Sequence, residues 1–230
     1  METNEKPVAA IVRNRGGGRR VRDPEATRAR ILAAAIQEFS RYGLAGARGD
    51  RIAQRARSSE RMVYYYFGSK EGLYAVALES VYVALRQAER SLRLEELEPA
   101  QALSTFCRFV WRYYHEHPEF IGMVNAENLQ RARQLRRSAR LSELVSPVVE
   151  MLDALLRRGE AAGVFRGGVD AAELYVAIAS LGYFYLSNSF TLSAVLGRGL
   201  REPARLEAHW RSSEAMVLRF VCRAEPDQSP

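Results

Sequence analysis

Cysteine and histidine are scarce in this chain of 230 residues. The two cysteines, Cys107 and Cys222, are far apart and belong to no CxxC or Cys/His cluster. The three histidines do not form a metal-binding pattern, because His115 and His117 point to different faces of a helix and His209 is remote in sequence. We therefore expect no disulfide framework and no metal, and the thiols suit the reducing cytoplasm.

The sequence also lacks the motifs that mark common enzyme classes. It contains no glycine-rich phosphate loop, no nucleophile elbow and no metal-ligand spacing. We therefore expect neither catalysis nor a bound cofactor.

Long apolar runs are rare. The run at 7–12 is too short for the core of a secretory signal. Residues 174–197 form a stretch of 24 residues without a charge, but serines, a threonine and an asparagine interrupt it, and it has no basic flank on its N-terminal side. We interpret it as a helix buried against its own core and against a partner subunit, so no membrane association is expected.

Acidic residues are scarce in the first third of the chain. Residues 1–70 hold 15 Lys and Arg against 7 Asp and Glu, a net charge of +8, whereas residues 71–230 hold 19 against 20, a net charge of −1. Lys6 and Lys70 are the two lysines among 34 basic residues. A basic patch confined to one part of a chain is typical of proteins that bind nucleic-acid phosphates, although a basic tail can also serve solubility.

Composition divides the chain into three parts. The segment 13–22 has five arginines, three glycines and no acid, so residues 1–22 are predicted to be a disordered arm. This arm is either a passive tail or a segment that follows phosphates or a minor groove. Residues 23–70 form the predicted DNA-binding domain, and residues 71–230 form a helical C-terminal domain.

Helical periodicity runs through the chain from residue 23, and strand alternation is absent, so the fold is predicted to be all-α. Asp23, Ser59 and Ser69 are predicted N-caps, and Gly43 is predicted to end the first helix. The predicted helices cover 24–42, 50–56, 60–66, a segment from 70 onward, 99–116, 119–138, 141–163, 170–196 and 203–223.

Residues 50–70 have the layout of a helix-turn-helix. Ile52, Ala53 and Ala56 give the first helix a small apolar face, which lets a second helix cross it closely. The second helix is short, capped by Ser59 and polar on its outer face, and its leading turn is expected to reach base edges.

These residues resemble the tetracycline-repressor (TetR) family of bacterial regulators over about 24–78. The similarity includes Ile-Leu-x-Ala-Ala-x-x-x-Phe at 31–39, Tyr-Gly at 42–43 and Val-Tyr-Tyr-Tyr-Phe-Gly-Ser-Lys-Glu-Gly-Leu at 63–73. The resemblance implies two sets of contacts with double-stranded DNA. Backbone contacts are assigned to Tyr64, Tyr65 and Lys70, and base contacts are assigned to Ser59, Glu60, Arg61 and Met62.

Two residues depart from the family pattern. Arg48 stands where Thr or Ser usually touches a phosphate, a contact that arginine can make from a longer stem. Arg57 stands where the turn usually has Gly, in a conformation that is left-handed and strained for other residues. Either the turn is distorted, or Arg57 is tolerated for an added phosphate contact.

For residues 71–230 the resemblance implies effector binding and dimerisation, with a more limited similarity to the subgroup that includes the uracil-sensing repressor of pyrimidine breakdown. Polar groups set among aromatic ones favour a small, flat, polar effector. The candidate contacts are Trp111, Tyr114, His115, Asn125, Asn128, Tyr183 and Asn188. The same part of the chain contains an arginine cluster, which comprises Arg131, Arg133, Arg136, Arg137 and Arg140. These arginines either form a solvated face or attract an anionic ligand.

Two apolar stripes are predicted to pair two subunits as a four-helix bundle. One is formed by Leu174, Ile178, Leu181 and Tyr185, and the other by Leu206, Trp210, Val217 and Val221. The resulting hypothesis is a homodimeric repressor that a small effector releases from a palindromic operator. The alternatives are an architectural DNA-binding protein without an effector and an enzyme with an appended DNA-binding domain.

Overall fold

The computed structural model describes residues 23–138 and 146–223. The predicted arm at 1–22, Arg140 and the first residues of the predicted helix 141–163 lie outside this part of the chain. The described residues contain ten α-helices and two short 3₁₀ turns, at Leu94–Glu96 and Leu135–Arg137. The helices are α1 (Pro24–Gly46), α2 (Gly49–Arg55), α3 (Glu60–Phe67), α4 (Lys70–Arg90), α5 (Pro99–Glu116), α6 (Pro118–Leu129), α7 (Ser146–Ala161), α8 (Ala171–Ser187), α9 (Ser189–Leu196) and α10 (Pro203–Val221).

The all-α prediction is confirmed. Within the described ranges, pairing of β type is limited to one isolated bridge between Phe165 and Cys222. No described helix is both long enough and apolar enough to cross a lipid bilayer.

The predicted N-cap residues begin their helices as expected. The Asp23 carboxylate accepts hydrogen bonds from the backbone N–H groups of Glu25 (3.0 Å) and Ala26 (3.2 Å). Ser69 accepts from the N–H of Gly72 at 3.0 Å. Gly43 interrupts α1 with a φ of +62°, and one further turn follows it before the helix ends at Gly46. Local capping chemistry therefore determines where these helices begin.

The predicted helix 119–138 is too long. α6 ends at Leu129, because Arg131 and Ala132 adopt left-handed conformations with φ of +56° and +57°. The chain then turns back, and the N–H of Ala132 donates to the carbonyl of Glu127 at 2.9 Å.

The predicted helix 170–196 is divided in two. Asn188 has φ −102° and ψ 8°, which ends α8 and begins α9. Its side-chain Nδ2 donates to the carbonyl of Phe184 at 2.9 Å, so the asparagine caps the break that it makes.

The three N-terminal helices enclose a small core, and α6 packs directly on it. Ile31 and Phe39 of α1, Ile52 of α2 and Val63 of α3 are all at most 1% exposed. α6 approaches α1 closely, since a Cβ at Gly122 would collide with the backbone carbonyl of Ser40. The helix-turn-helix is thus joined to the C-terminal helices by a tight contact as well as through α4.

Most residues of the predicted pairing stripes face inward. Of the α8 and α10 residues assigned to the subunit interface, five are buried in the protomer's own core: Leu174, Ile178, Leu206, Val217 and Val221. The prediction is wrong for these residues, because α8 is apolar around most of its circumference and its sequence pattern does not show which face is internal. The exposed apolar residues lie elsewhere on the same helices and on α9: Val176, Phe184, Phe190, Val195, Leu196, Met216 and Phe220.

Candidate DNA interface and effector cavity

The turn between α2 and α3 is closed by two backbone hydrogen bonds. The N–H of Ser58 donates to the carbonyl of Ala53 at 2.9 Å, and the N–H of Arg57 donates to that of Gln54 at 3.1 Å. This pair of bonds defines a Schellman motif, whose left-handed position is usually glycine. Arg57 occupies that position with a φ of +50°. The turn is therefore regular, and the arginine carries the strain.

α3 presents a polar outer face to solvent. Ser59 caps it, with its hydroxyl 3.4 Å from the N–H of Met62. Glu60 and Arg61 in the first turn are exposed, as are Tyr64 (38%) and Tyr65 (76%). Four of the predicted contact residues thus share the exposed side of one short helix.

The inner face of α3 packs on the core. Val63 is 1% exposed, and Tyr66 and Phe67 are half-buried against it. Met62, which the sequence assigns to base contacts, is also half-buried against this core, although part of it lines a surface groove.

Tyr64 and Lys70 converge on the start of α2, where the Tyr64 hydroxyl lies beside Gly49 and Lys70 reaches Ala47. The Tyr64 hydroxyl lies 3.4 Å from Oε1 of Glu60, and partial burial together with that carboxylate raises the pKa of the phenol. The Lys70 ammonium donates to the carbonyl of Ala47 at 3.3 Å. Both side chains reach solvent at the same edge, where they can meet a phosphate.

Arg48 is the N-cap residue of α2, and its side chain is paired with an acid. Its Nε and Nη2 donate to the two carboxylate oxygens of Asp50 at 3.0 and 2.7 Å. These hydrogen bonds from Arg48 lower the pKa of Asp50. Both side chains are more than half exposed, so the guanidinium can exchange this partner for a phosphate.

A second candidate site lies among the C-terminal helices. It is a partly open cavity of about 190 Å³ between α5, α6, α8 and α9. Two of the predicted effector residues, Tyr114 and Asn125, line it. The remaining walls are Pro118, Ile121, Gly122, Leu186, Ser187, Phe190 and Arg201.

Beside this cavity, a hydrogen-bond network joins three of the predicted residues. The Tyr183 hydroxyl donates to Oδ1 of Asn125, and Nδ2 of Asn128 lies 3.4 Å from the same hydroxyl. The Ser187 hydroxyl also donates to Asn125 Oδ1, at 3.1 Å. Tyr114 stacks on Phe120, and burial holds the pKa of its phenol well above the usual value.

The other predicted effector residues lie away from the cavity. Trp111 is fully buried, and its indole N–H donates to the carbonyl of Ile178 at 3.0 Å. His115 faces α10, where its ring meets that of Trp210 edge-on at 5.7 Å. Asn188 caps the break between α8 and α9. These contacts are structural, and an effector role for the three residues stays a prediction.

The sequence analysis missed Arg201, the cation at the cavity. Its Nη1 donates to the Ser189 hydroxyl at 3.2 Å, and its guanidinium lies 5.4 Å from the Phe190 ring centroid. Arg201 follows α9 in an irregular segment, so no periodic pattern could place it beside α6.

A buried charge cluster was missed as well. Arg86 and Glu89 of α4 are each 3% exposed and joined at 2.6 Å, and Arg86 also donates to the Tyr175 hydroxyl at 2.8 Å. Arg86 Nε and Glu89 Oε1 have no hydrogen-bond partner among the described residues. Burial raises the pKa of Glu89 to about 7, against the opposing effect of Arg86. The sequence could have indicated this cluster, because both charged residues fall on the apolar side of α4.

Within 23–138 and 146–223, the structure brings together no group of three or more His, Cys, Asp or Glu that could hold a metal ion. The two cysteines are free, and burial raises the pKa of the Cys107 thiol to about 12.

Comparison with known proteins identifies both halves of the chain. Residues 31–77 match the family model for bacterial regulatory proteins of the tetR family, and residues 99–217 match the model for the tetracyclin repressor-like C-terminal domain. The HTH-type transcriptional repressor NicS of Pseudomonas putida is 40% identical over 199 residues, which cover 86% of this chain and 93% of that protein.

Two further proteins agree with this assignment. The HTH-type transcriptional regulator RutR of Escherichia coli is 27% identical over 80% of this chain and 85% of its own length. The crystal structure of the regulator SCO4942 from Streptomyces coelicolor superposes with a TM-score of 0.64 and 30% identity, covering 83% of this chain and 97% of that one. This chain therefore belongs to the TetR family of helix-turn-helix transcriptional regulators.

Proposed function

We propose that this regulator is a homodimeric repressor, which binds a two-fold symmetric operator through α3 and is released by a small polar effector. The observation that carries the proposal is the outer face of α3. There a capped helix of eight residues exposes a guanidinium, a carboxylate and two tyrosines to solvent, while its inner face is anchored in the core. A helix of this kind is suited to enter a major groove.

We assign different roles to the two ends of this surface. Ser59, Glu60 and Arg61, in the first turn of α3, read base edges. Tyr64, Tyr65, Lys70 and Arg48 contact the phosphates and set the register. Residues 23–70 act as the DNA-binding unit, and residues 71–230 bind the effector and the second subunit.

Binding can be tested with the DNA upstream of the protein's own gene. We expect a specific shifted band in a gel-shift assay, and an affinity that falls steeply between 50 and 200 mM salt, because phosphate contacts release counterions. Arg61→Ala should relax discrimination between operator sequences, whereas Lys70→Ala should weaken binding to all duplexes. The absence of any specific band, or binding that salt does not affect, would refute the proposal.

The dimer is supported by large apolar side chains that stay more than half exposed among the described residues of α8 and α10. Phe184 of α8 and Phe220 of α10 are 60% and 53% exposed. An adjoining apolar depression of about 520 Å³ is lined by residues of α8, α9 and α10 that include Leu181 and Leu192. Pairing two copies through these helices would hide the patch and present two α3 helices to consecutive turns of DNA.

The effector site is assigned to the cavity lined by Tyr114, Asn125 and Ser187. It adjoins a hydroxyl and amide network on one side and Arg201 on the other, which suits a compact polar molecule. Its wall includes α6, which contacts α1 through Gly122. An effector that binds better when α6 is displaced would shift the protein toward a conformation in which the two α3 helices have the wrong spacing.

The effector assignment can be tested without knowing the effector's identity. Tyr183→Phe removes the hydroxyl that joins Asn125 and Asn128 but leaves α3 unaltered. We expect this variant to repress an operator-linked reporter as well as the wild type does, and to need a higher dose of whichever inducer a metabolite screen identifies. An unchanged dose response would rule out this network as part of the effector site. Exposed Glu150→Gln serves as the control.

A further inference from the structure

The backbone of Arg57 is in a left-handed conformation, which is strained for arginine but not for glycine. Arg57 is one of four non-glycine residues with positive φ among those the structure describes, and it alone of these lies in the helix-turn-helix. The turn around it keeps both backbone hydrogen bonds of the Schellman motif. Strained conformations of this kind are concentrated at functional positions, where the side chain contributes what the backbone loses.

Arg57 is one of three arginines that line a surface groove. The groove, of about 870 Å³, runs between the start of α1 and the start of α3, and Arg30, Arg57 and Arg61 all line it. Its other described walls are Pro24, Thr27, Ser58, Ser59, Met62, Tyr65 and Tyr66, of which none is acidic.

These three cations have no acidic partner within the described part of the chain. Arg30 donates to two neutral oxygens, Oγ1 of Thr27 at 3.0 Å and the carbonyl of Ala56 at 3.4 Å. No ion pair is formed by Arg57 or Arg61 with any described residue. The contrast is a depression between α5 and α10, where arginines are matched by acids and Arg108 pairs with Glu214 at 3.0 Å.

The position of the groove matches the geometry of duplex DNA. The Tyr64 and Lys70 contacts lie at the N-terminal end of α2, and Arg57 follows its C-terminal end. A helix of seven residues separates these points by about 10 Å. The phosphate walls of a major groove are about 12 Å apart, so a recognition helix seated between them has one wall on each side.

From these observations we propose that Arg57, with Arg30, forms a second phosphate-binding site beside the base-reading Arg61, and that this site binds the DNA strand opposite to the one held by Tyr64 and Lys70. This site rests on the proposed DNA-binding function. It explains why an arginine stands at a left-handed position, since the turn itself places the residue in the wall of the groove.

The salt dependence of operator binding tests the site in the full-length protein. Because each lost phosphate contact lowers the slope of log affinity against log salt by about 0.9, we expect Arg57→Ala to reduce the slope by that amount for each protomer bound. At 0.1 M salt the affinity should fall roughly five- to ten-fold per protomer. Arg57→Lys, which keeps the charge, should retain most of the slope.

Two more variants separate charge from strain. Arg57→Gly should lose the same slope as Arg57→Ala but raise the thermal midpoint above that of Arg57→Ala by about 2–4 °C, since glycine accepts positive φ freely. Arg90→Ala removes an exposed arginine at the C-terminal end of α4, about 30 Å along that helix from Lys70. This variant should leave the slope unchanged.

The outcomes distinguish this site from the function on which it rests. A wild-type protein that binds its operator with a slope identical to that of Arg57→Ala would overturn the second phosphate site and leave the repressor function intact. A wild-type protein that binds no duplex specifically would refute the repressor function and the site together.

Discussion

At the scale of single residues, Glu38 organises the start of the helix-turn-helix. It is 1% exposed, accepts the N–H of Arg48 at 3.2 Å and lies 2.7 Å from Nε of Arg51. The Arg51 guanidinium in turn lies 4.3 Å from the centroid of the Tyr42 ring. One carboxylate on α1 thus fixes the first turn of α2 by a hydrogen bond and by charge.

We expect Glu38→Ala to lower the free energy of unfolding by about 2 kcal/mol, because it removes a buried acceptor and leaves Arg51 without its anion. Urea denaturation measures this change. Glu150→Ala, which removes an exposed carboxylate from α7, should change stability by no more than about 0.5 kcal/mol. Equal effects of the two substitutions would show that Glu38 does not hold α2.

A second residue-scale prediction concerns pH. Burial raises the pKa of Glu89 to about 7 from an ordinary value of 4.5. A carboxyl whose pKa is raised by folding contributes stability that is present below the unfolded pKa and lost as the pH rises through the folded one. The wild-type free energy of unfolding should therefore fall between about pH 4.5 and 7, relative to Glu89→Gln, by up to about 3 kcal/mol.

Urea denaturation of both proteins from pH 4 to 8 measures that difference. Subtracting one curve from the other cancels the titration of groups that the two proteins share. A difference that stays constant with pH, or that grows in favour of the wild type as the pH rises, would contradict the raised pKa.

At the scale of elements, the contact between α1 and α6 couples the helix-turn-helix to the cavity. Gly122 of α6 faces the backbone carbonyl of Ser40, so a methyl group there forces the two helices apart. We expect Gly122→Ala to weaken operator binding at least ten-fold while the far-ultraviolet circular dichroism stays helical, because the displaced α6 reorients α1.

Gly199→Ala is the matched control for that substitution. The nearest neighbour of its new Cβ is the flexible end of the Glu202 side chain, which can move aside. Gel-shift titration of both variants makes the comparison. If both bind the operator as the wild type does, the contact between α1 and α6 does not position the helix-turn-helix.

The elements also show how far sequence reasoning reaches. Helix starts were predictable, because a cap such as Asp23 or Ser69 acts on the next two or three residues. The end of α6 was not, because it depends on a turn stabilised by the buried Glu127, whose carboxylate accepts the N–H groups of Gln134 and Leu135. Helical periodicity does not reveal contacts that the chain makes when it turns back on a helix.

The sites divide in the same way. Of the α3 residues that the resemblance assigned to DNA, Glu60, Arg61, Tyr64 and Tyr65 are exposed, whereas Met62 is half-buried. Asn125 and Tyr183 were predicted as effector contacts from their residue types, and the structure places both at or beside the cavity. Arg201 was not predicted, because only the tertiary fold brings it to this cavity. The subunit face of α8 was misassigned, because a helix apolar on most sides does not reveal which side the protomer uses itself.

At the scale of the whole molecule, two copies are needed to read an operator with useful discrimination. We expect the double substitution Phe184→Asp and Phe220→Asp to convert the proposed dimer to a monomer, because it places charges in the exposed apolar surface of α8 and α10. Analytical ultracentrifugation measures the mass.

Leu129→Asp provides the control, since Leu129 is 87% exposed at the end of α6, outside the proposed interface. This variant should remain dimeric. A wild-type protein that sediments as a monomer, or a double variant that stays dimeric, would show that the subunits do not pair through these helices.

The most direct test of the account is the mass of the complex formed on a duplex from the protein's own upstream region, measured at several salt concentrations. The account predicts two copies of the chain on one two-fold site, which are lost together as the salt rises from 50 to 200 mM. A complex that contains a single copy, or one whose stability does not depend on salt, would contradict it.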